Sequence, residues 1–204
     1  MSGLGELVLA SGNRHKLSEL QKLLAPRQVI VRAQNEFGVE SVEETEKTFV
    51  GNSVLKARHA AKQTARWALA DDSGIVVEAL DGAPGVYSAR YAGLNASDEE
   101  NNLKLIQALS AHPKPWRAYY VAALALVSPN ERVEPIVACG QWHGEIISTP
   151  RGSRGFGYDP YFVPTGEVRT AAEMESEEKN RCSHRAVALQ ELLRLWPEQF
   201  WHNY

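Results

Sequence analysis

The sequence predicts an α/β domain built on a mixed sheet. Short apolar runs within 6–11, 28–33 and 67–71 alternate with segments of helical periodicity, the pattern of strands linked by helices. A long run rich in Tyr, Val, Ala and Leu, 117–128, is joined by Pro129-Asn130-Glu131 to another strand, 133–147. So short a connection makes a hairpin, and a hairpin is antiparallel. No repeat, low-complexity tract or linker interrupts the 204 residues, so 1–204 reads as one domain, long enough for one substantial core or two lobes.

The first strand, 6–11, owes its reading to Leu7-Val8-Leu9-Ala10. Leu17, Leu20, Leu23 and Leu24 then repeat at helical spacing, and Pro26 ends that helix. Residues 28–33 form a second strand, followed by a polar loop over 34–46. A long helix is expected over 48–66, with Phe49, Val54, Leu55, Ala60, Ala61 and Ala65 toward the core. Short strands at 67–71 and 74–79 flank an acidic turn, Asp71-Asp72-Ser73, and 81–85 is a loop by composition. Ser97-Asp-Glu-Glu100 has the spacing of a capping box and starts a helix to Leu109; Thr170-Ala-Ala-Glu173 repeats the pattern. After the hairpin, 149–159 is a glycine-rich flexible loop, and Ser183 reads as the N-cap of a last helix over 184–196. The aromatic C-terminus, Trp196 to Tyr204, caps the core or joins a subunit contact, with packing the favoured role.

Composition narrows the function classes. A net charge of −3 argues against a general nucleic-acid binder. Val121–Val127, the longest purely apolar run, is too short to span a bilayer, and the first residues lack the basic and apolar segments of a signal peptide. Cys139 and Cys182 form no C-x-x-C pair and read as free thiols of a reducing compartment, the cytoplasm. The six histidines show no zinc-site spacing.

Four segments carry chemistry. Adjacent Asp71 and Asp72 repel, and a fold keeps them together only where something offsets that repulsion; Mg²⁺, a hard cation that takes carboxylate and phosphate oxygens, does so, while a solvated turn is the plainer alternative. Ser11-Gly12-Asn13-Arg14-His15-Lys16 stands where the first strand enters the first helix, where unpaired N–H groups and a lysine suit phosphate; an ordinary strand–helix turn has the same residues. Gly152-Ser-Arg-Gly155-Phe156-Gly157-Tyr158-Asp159-Pro160 offers an aromatic face for a purine and a carboxylate to accept from ring N–H groups, unless its aromatics pack onto the core. Lys179, followed five residues later by His184-Arg185, aims donors from the start of the last helix, or is simply a charged helix end.

Taken together, S-G-N-x-x-K, T-F-V-G-N-S-V-L-K-A, A-D-D-S-G, G-A-P-G-V-Y-S-A-R-Y, G-F-G-Y-D-P and E-K-N-R-C-S-H-R, in that order from Leu7 to about Leu193, resemble the inosine triphosphate pyrophosphatase family, its bacterial-type members above all. The resemblance implies an elongated mixed β-sheet with flanking helices and two lobes around a central nucleotide-binding cleft. It implies a homodimer that uses Mg²⁺ to hydrolyse XTP, ITP or dITP, small-molecule nucleotides, to the monophosphate and pyrophosphate. By the same resemblance, Ser11, Gly12, Asn13 and Lys16 match the triphosphate-binding segment, with Arg14 and His15 inside it, and Lys56 a second phosphate contact. Asp71 and Asp72 match metal-site aspartates, Asp72 also the proton acceptor, and Ser73 a substrate contact. Phe156, Gly157, Tyr158, Asp159, Lys179, His184 and Arg185 match base-binding positions. A pyrophosphatase of the septum-inhibitor type opens with a serine-rich S-P-R segment, which Ser11-Gly12-Asn13 does not fit.

One departure stands out. The family usually has a metal-holding glutamate where this chain has Gly51, a residue that also weakens a helix by about 1 kcal/mol relative to alanine. Three consequences are open: the cation is held by Asp71, Asp72, waters and phosphates, the favoured one; Glu43, Glu44 or Glu46 substitutes; or the chain binds nucleotide and is catalytically impaired. On the favoured reading, Gly51→Glu raises activity or sharpens the Mg²⁺ dependence.

Overall fold

The structure, a computed structural model, describes residues 5–197 and 200. Strands β1 (Gly5–Leu9), β2 (Val29–Ala33), β3 (Ala68–Val77), β4 (Trp116–Val127), β5 (Ile136–Ile146) and β6 (Phe162–Pro164) form one sheet in the order β2-β1-β3-β4-β5-β6. β1 runs parallel to both β2 and β3, and β5 runs antiparallel to β6, so the sheet is mixed as expected. Helices α1 (Arg14–Leu24), α2 (Phe49–Thr64), α3 (Asp98–Leu109), α4 (Ser176–Cys182) and α5 (His184–Arg194) complete the α/β fold.

The chain divides into two compact units. The first comprises Met1–Asp72, Ala123–Gly140 and Ala186–Tyr204. Its core sets Ala57, Ala60 and Ala61 of α2 against Val8, Ala10, Ala68, Ala70 and Ala125, all buried. Small residues on both faces bring the helix close to the strands, which fixes the height at which α2 presents its polar side chains. Asn13 caps α1, its Oδ1 accepting from the N–H groups of His15 (2.9 Å) and Lys16 (3.2 Å), and so holds Lys16 in the first turn. Phe200 is fully buried, edge-on to Trp67 at 5.9 Å and to Trp196 at 5.2 Å, the packing role expected of the aromatic C-terminus. Glu198, Gln199 and 201–204 lie outside the described residues.

The second unit comprises Ser73–Ala122 and Gln141–Arg185. Its core gathers Ile75, Val77, Leu105, Leu109, Trp116, Tyr120, Trp142, Tyr158 and Phe162. Ser97 starts α3 with the expected capping box: its Oγ accepts from Glu100 N–H (3.2 Å), and the Glu100 carboxylate accepts from Ser97 N–H (2.7 Å).

Several local expectations change. Asp71-Asp72-Ser73 is not a turn: β3 runs unbroken through it, with Asp71 and Asp72 buried. Gly74 serves close packing rather than a bend, because a Cβ there would run into Ser88 Oγ and the Gly85 carbonyl. Helix α2 stops at Thr64, with Ala65 left-handed at φ 51°, so Ala65 is exposed rather than core-facing. A separate short helix, α4, precedes Ser183, which joins it to α5 in an extended conformation.

Candidate active site

In the first unit, two lysines and two aspartates form one cluster. β3 carries the aspartates, α1 brings Lys16, and α2 brings Lys56. Lys16 Nζ lies 2.7 Å from Asp71 Oδ1, and Lys56 Nζ lies 2.8 Å from Asp72 Oδ1. Both ammoniums also donate to the Asp71 carbonyl, at 3.3 and 3.0 Å. Asp72 Oδ2 accepts from the Asn52 side-chain amide at 3.3 Å, and Lys56 bonds a second carboxylate, Glu44, at 2.8 Å. The repulsion between neighbouring carboxylates is thus answered by ammoniums 55 and 16 residues away in sequence. Burial holds the Asp72 carboxyl above its ordinary range, and the attraction of Lys56 does not overcome it, the nearby Glu44 charge adding to the rise. Burial works against the Lys56 ammonium, but Asp72 and Glu44 outweigh it and raise its pKa. A carboxylate of raised basicity beside fixed positive charge suits proton abstraction near a phosphate.

The rest of the N-terminal segment is solvent-facing. Gly12, Asn13, Arg14 and His15 are exposed, and Ser11 Oγ accepts from Asn13 N–H at 3.1 Å, shaping the turn.

In the second unit, the remaining candidates come together around Phe156. Lys179 Nζ lies 5.3 Å and the Arg185 guanidinium carbon 5.8 Å from its ring centroid. Arg185, almost wholly buried, also donates to Ser73 Oγ at 3.2 Å. Asp159 is the hub: its Oδ2 accepts from Lys179 Nζ (2.6 Å) and Phe156 N–H (3.0 Å), and its Oδ1 from Tyr120 hydroxyl (3.2 Å). Gly155, at φ 76°, lets the carboxylate in, since a Cβ there would collide with Asp159 Oδ2. Asp159 therefore spends most of its accepting capacity on the protein and positions Lys179 and Phe156. Tyr158 is a core residue whose hydroxyl donates to the Ser88 carbonyl at 2.8 Å, leaving half-buried Phe156 as the aromatic face. Gly157 is clamped by α3: its N–H donates to Asp98 (2.6 Å) and its carbonyl accepts from Asn102 (2.8 Å). His184 stacks on Tyr120, centroids 4.7 Å apart at 10°.

Comparison with known proteins identifies the family. The sequence profile of the Ham1 family matches residues 7–195. The chain belongs to the Ham1 family. It is 48% identical over 196 residues to a dITP/XTP pyrophosphatase of Coxiella burnetii, covering 96% of this chain and 98% of that one. A dITP/XTP pyrophosphatase of Yersinia pseudotuberculosis is 51% identical over 189 residues, 92% of this chain and 96% of its own. Among solved structures, a HAM1 protein from Coxiella burnetii superposes with a TM-score of 0.85 at 48% identity, covering 93% of this chain and 97% of that one. The Staphylococcus aureus Ham1 protein gives 0.82 at 38%, with the same coverage.

Asn52 and Tyr120 of this Ham1 chain take part without having been singled out in its sequence, and of the three loop carboxylates offered as substitutes for a residue-51 side chain it is Glu44 that reaches Lys56. Asn52 stood next to Gly51 in a motif already marked. Tyr120 sat in a strand that reads only as core. The donors of the Ham1 cluster suit a hard divalent cation: Asp72 and Glu44 carboxylate oxygens face one point now held by the Lys56 ammonium. Among the described residues, no three acidic, histidine or cysteine side chains converge as a ready metal cage. An ion that keeps several waters and shares phosphate oxygens needs no such cage.

Burial and the Asp159 charge push the Tyr120 hydroxyl well above its ordinary pKa. A raised acid pKa in the native state contributes stability below the unfolded value, about 10, that is lost as pH rises toward the folded one. Unfolding free energy is therefore expected to fall above about pH 10, and less steeply in Tyr120→Phe. An equal loss of stability in parent and variant above that pH, read by denaturant titration, would contradict the rise of the Tyr120 hydroxyl pKa.

Proposed function

We propose that this Ham1 chain hydrolyses non-standard purine nucleoside triphosphates (dITP, XTP and ITP) to the monophosphate and pyrophosphate, with Mg²⁺. The reading rests above all on the pairing of Asp71 and Asp72 with Lys16 and Lys56 at 2.7 and 2.8 Å. Lys16 and Lys56 offset the charge that builds on the departing pyrophosphate. Asp72, its basicity raised by burial, takes the proton of the attacking water. Asp71, fixed on Lys16, orients that lysine. Asp72 and Glu44 are the residues that would hold Mg²⁺, which when bound supplies charge neutralisation and a more acidic water.

The base end follows from the second unit. Phe156 offers a stacking face, and Lys179 and Arg185 are donors beside it. Hypoxanthine and xanthine carry a carbonyl at C6, which accepts from such donors. Adenine carries an amino group there, which meets them donor to donor. A site built for that hydrogen bond discriminates strongly against its absence. The homodimeric state, which rests on the resemblance, and a cytoplasmic location, which rests on the two free thiols, belong to the same proposal.

The test is pyrophosphate release from dITP, XTP, ITP, ATP and GTP with and without Mg²⁺. Mg²⁺-dependent turnover of the first three, with ATP and GTP poor, is the expected result. Binding of dITP without turnover would overturn it in favour of a catalytically silent nucleotide binder.

A further inference from the structure

We propose, on the metal-dependent reading above, that the Lys56 ammonium is a placeholder in the divalent-cation site. It competes with the cation for one position and leaves it for the triphosphate, so that cation and nucleotide bind together rather than separately.

Three oxygens surround Lys56 Nζ: Glu44 Oε1 at 2.8 Å, Asp72 Oδ1 at 2.8 Å and the Asp71 carbonyl at 3.0 Å. An ammonium has three N–H donors, so all of them are spent on the protein. None is left for a phosphate, the group that the proposed reaction requires this lysine to meet. Lys56 must therefore give up partners before it can act on the leaving pyrophosphate. The partners it gives up are two carboxylate oxygens and a carbonyl, the donor type that hard divalent cations take. Mg²⁺ draws such oxygens to about 2.0–2.1 Å, which leaves no room for an ammonium at the same point. The surroundings of the lysine are fixed while its own stem is flexible. Helix α2 is anchored through Ala57, Ala60 and Ala61, all buried, and Asp72 is held on β3 with its other oxygen bonded to Asn52 at 3.3 Å. A cation entering alone has to displace the ammonium that already neutralises Asp72 and Glu44. A triphosphate gives that ammonium new acceptors, and by linkage each ligand then favours the other. Lys16, seated on Asp71 Oδ1 at 2.7 Å, serves as the control.

Mn²⁺ binding to the nucleotide-free full chain, followed by electron paramagnetic resonance, tests the proposal. Lys56→Met is expected to bind Mn²⁺ at least about tenfold more tightly than the parent, within the usual span of coupling between two ligands. Its turnover of dITP should fall at the same time, because the lysine that meets the phosphates is gone. Added Mg²⁺ should raise the melting temperature of Lys56→Met clearly and that of the parent little, since a ligand stabilises according to its affinity. Lys56→Gln, which keeps a donor for Asp72 without the charge, gives the same reading should Lys56→Met not fold. Lys16→Met removes an equal charge from the same cluster and should change Mn²⁺ affinity far less. Mn²⁺ affinity in the Lys56 variants no higher than in the parent, or an equal gain in Lys16→Met, would overturn the placeholder. Pyrophosphate release from dITP that is unaffected by a chelator, with no Mn²⁺ bound by parent or variants, would overturn the metal-dependent reading itself.

Discussion

Asp72→Asn is expected to lower kcat for dITP by about a thousandfold, within the range of removing a positioned general base. The variant keeps the shape of the side chain and a group that can meet Asn52, so the geometry of β3 survives. Lys56 keeps Glu44 as a partner at 2.8 Å and stays in place for the phosphates. Binding of the triphosphate should therefore change far less than turnover, the signature of an interaction made in the transition state. Stability should hold as well, because the substitution removes a buried charge whose ionisation the native fold opposes. Steady-state pyrophosphate release, read with a melting curve, checks both halves. A variant that keeps a tenth of the parental kcat would remove Asp72 from the role of proton acceptor, and Glu44 would be the next residue to neutralise.

The parts of this fold that were legible in the sequence are those where local chemistry and tertiary packing agree. The leucines of α1, the capping box at Ser97 and the apolar run of β1 each specify an element by themselves. The acidic segment misled because Asp-Asp-Ser-Gly has the composition of a turn, and only partners distant in sequence make it a strand. Lys16 and Lys56 neutralise the aspartates, and Ser88 closes on Gly74. The candidate site shows the same division. Residues inside contiguous motifs, Lys16, Lys56, Asp72 and Asp159, were marked from the sequence. Tyr120 and Asn52 were not, because their part depends on which atoms they reach rather than on spacing along the chain, and Glu44 was marked only as one of three alternatives in the loop before α2. Gly51 reads as a loss in one dimension and as a fitted pair with Glu46 in three.

Asp159→Ala is expected to cost about 3–5 kcal/mol of folding stability, the range for deleting one partner of a buried ion pair. The side chains of Lys179 and Asp159 are 8% and 3% exposed, so an ammonium that loses Asp159 has little water to turn to. Tyr120 hydroxyl and Phe156 N–H lose their acceptor at the same time. Most of that cost belongs to the charge left behind, not to the pair itself, and a double variant separates the two. Asp159→Leu with Lys179→Met removes both charges and should recover much of the stability lost by Asp159→Ala. It should not recover preference for dITP over dATP, because Lys179 is one of the donors that would meet a C6 carbonyl and Phe156 has lost the bond that sets its loop. Denaturant titration and the ratio of kcat/KM for the two nucleotides measure these effects independently. Stability and selectivity returning together would mean that the ion pair only props up the fold, and that the purine is read by Arg185 and His184 without Lys179.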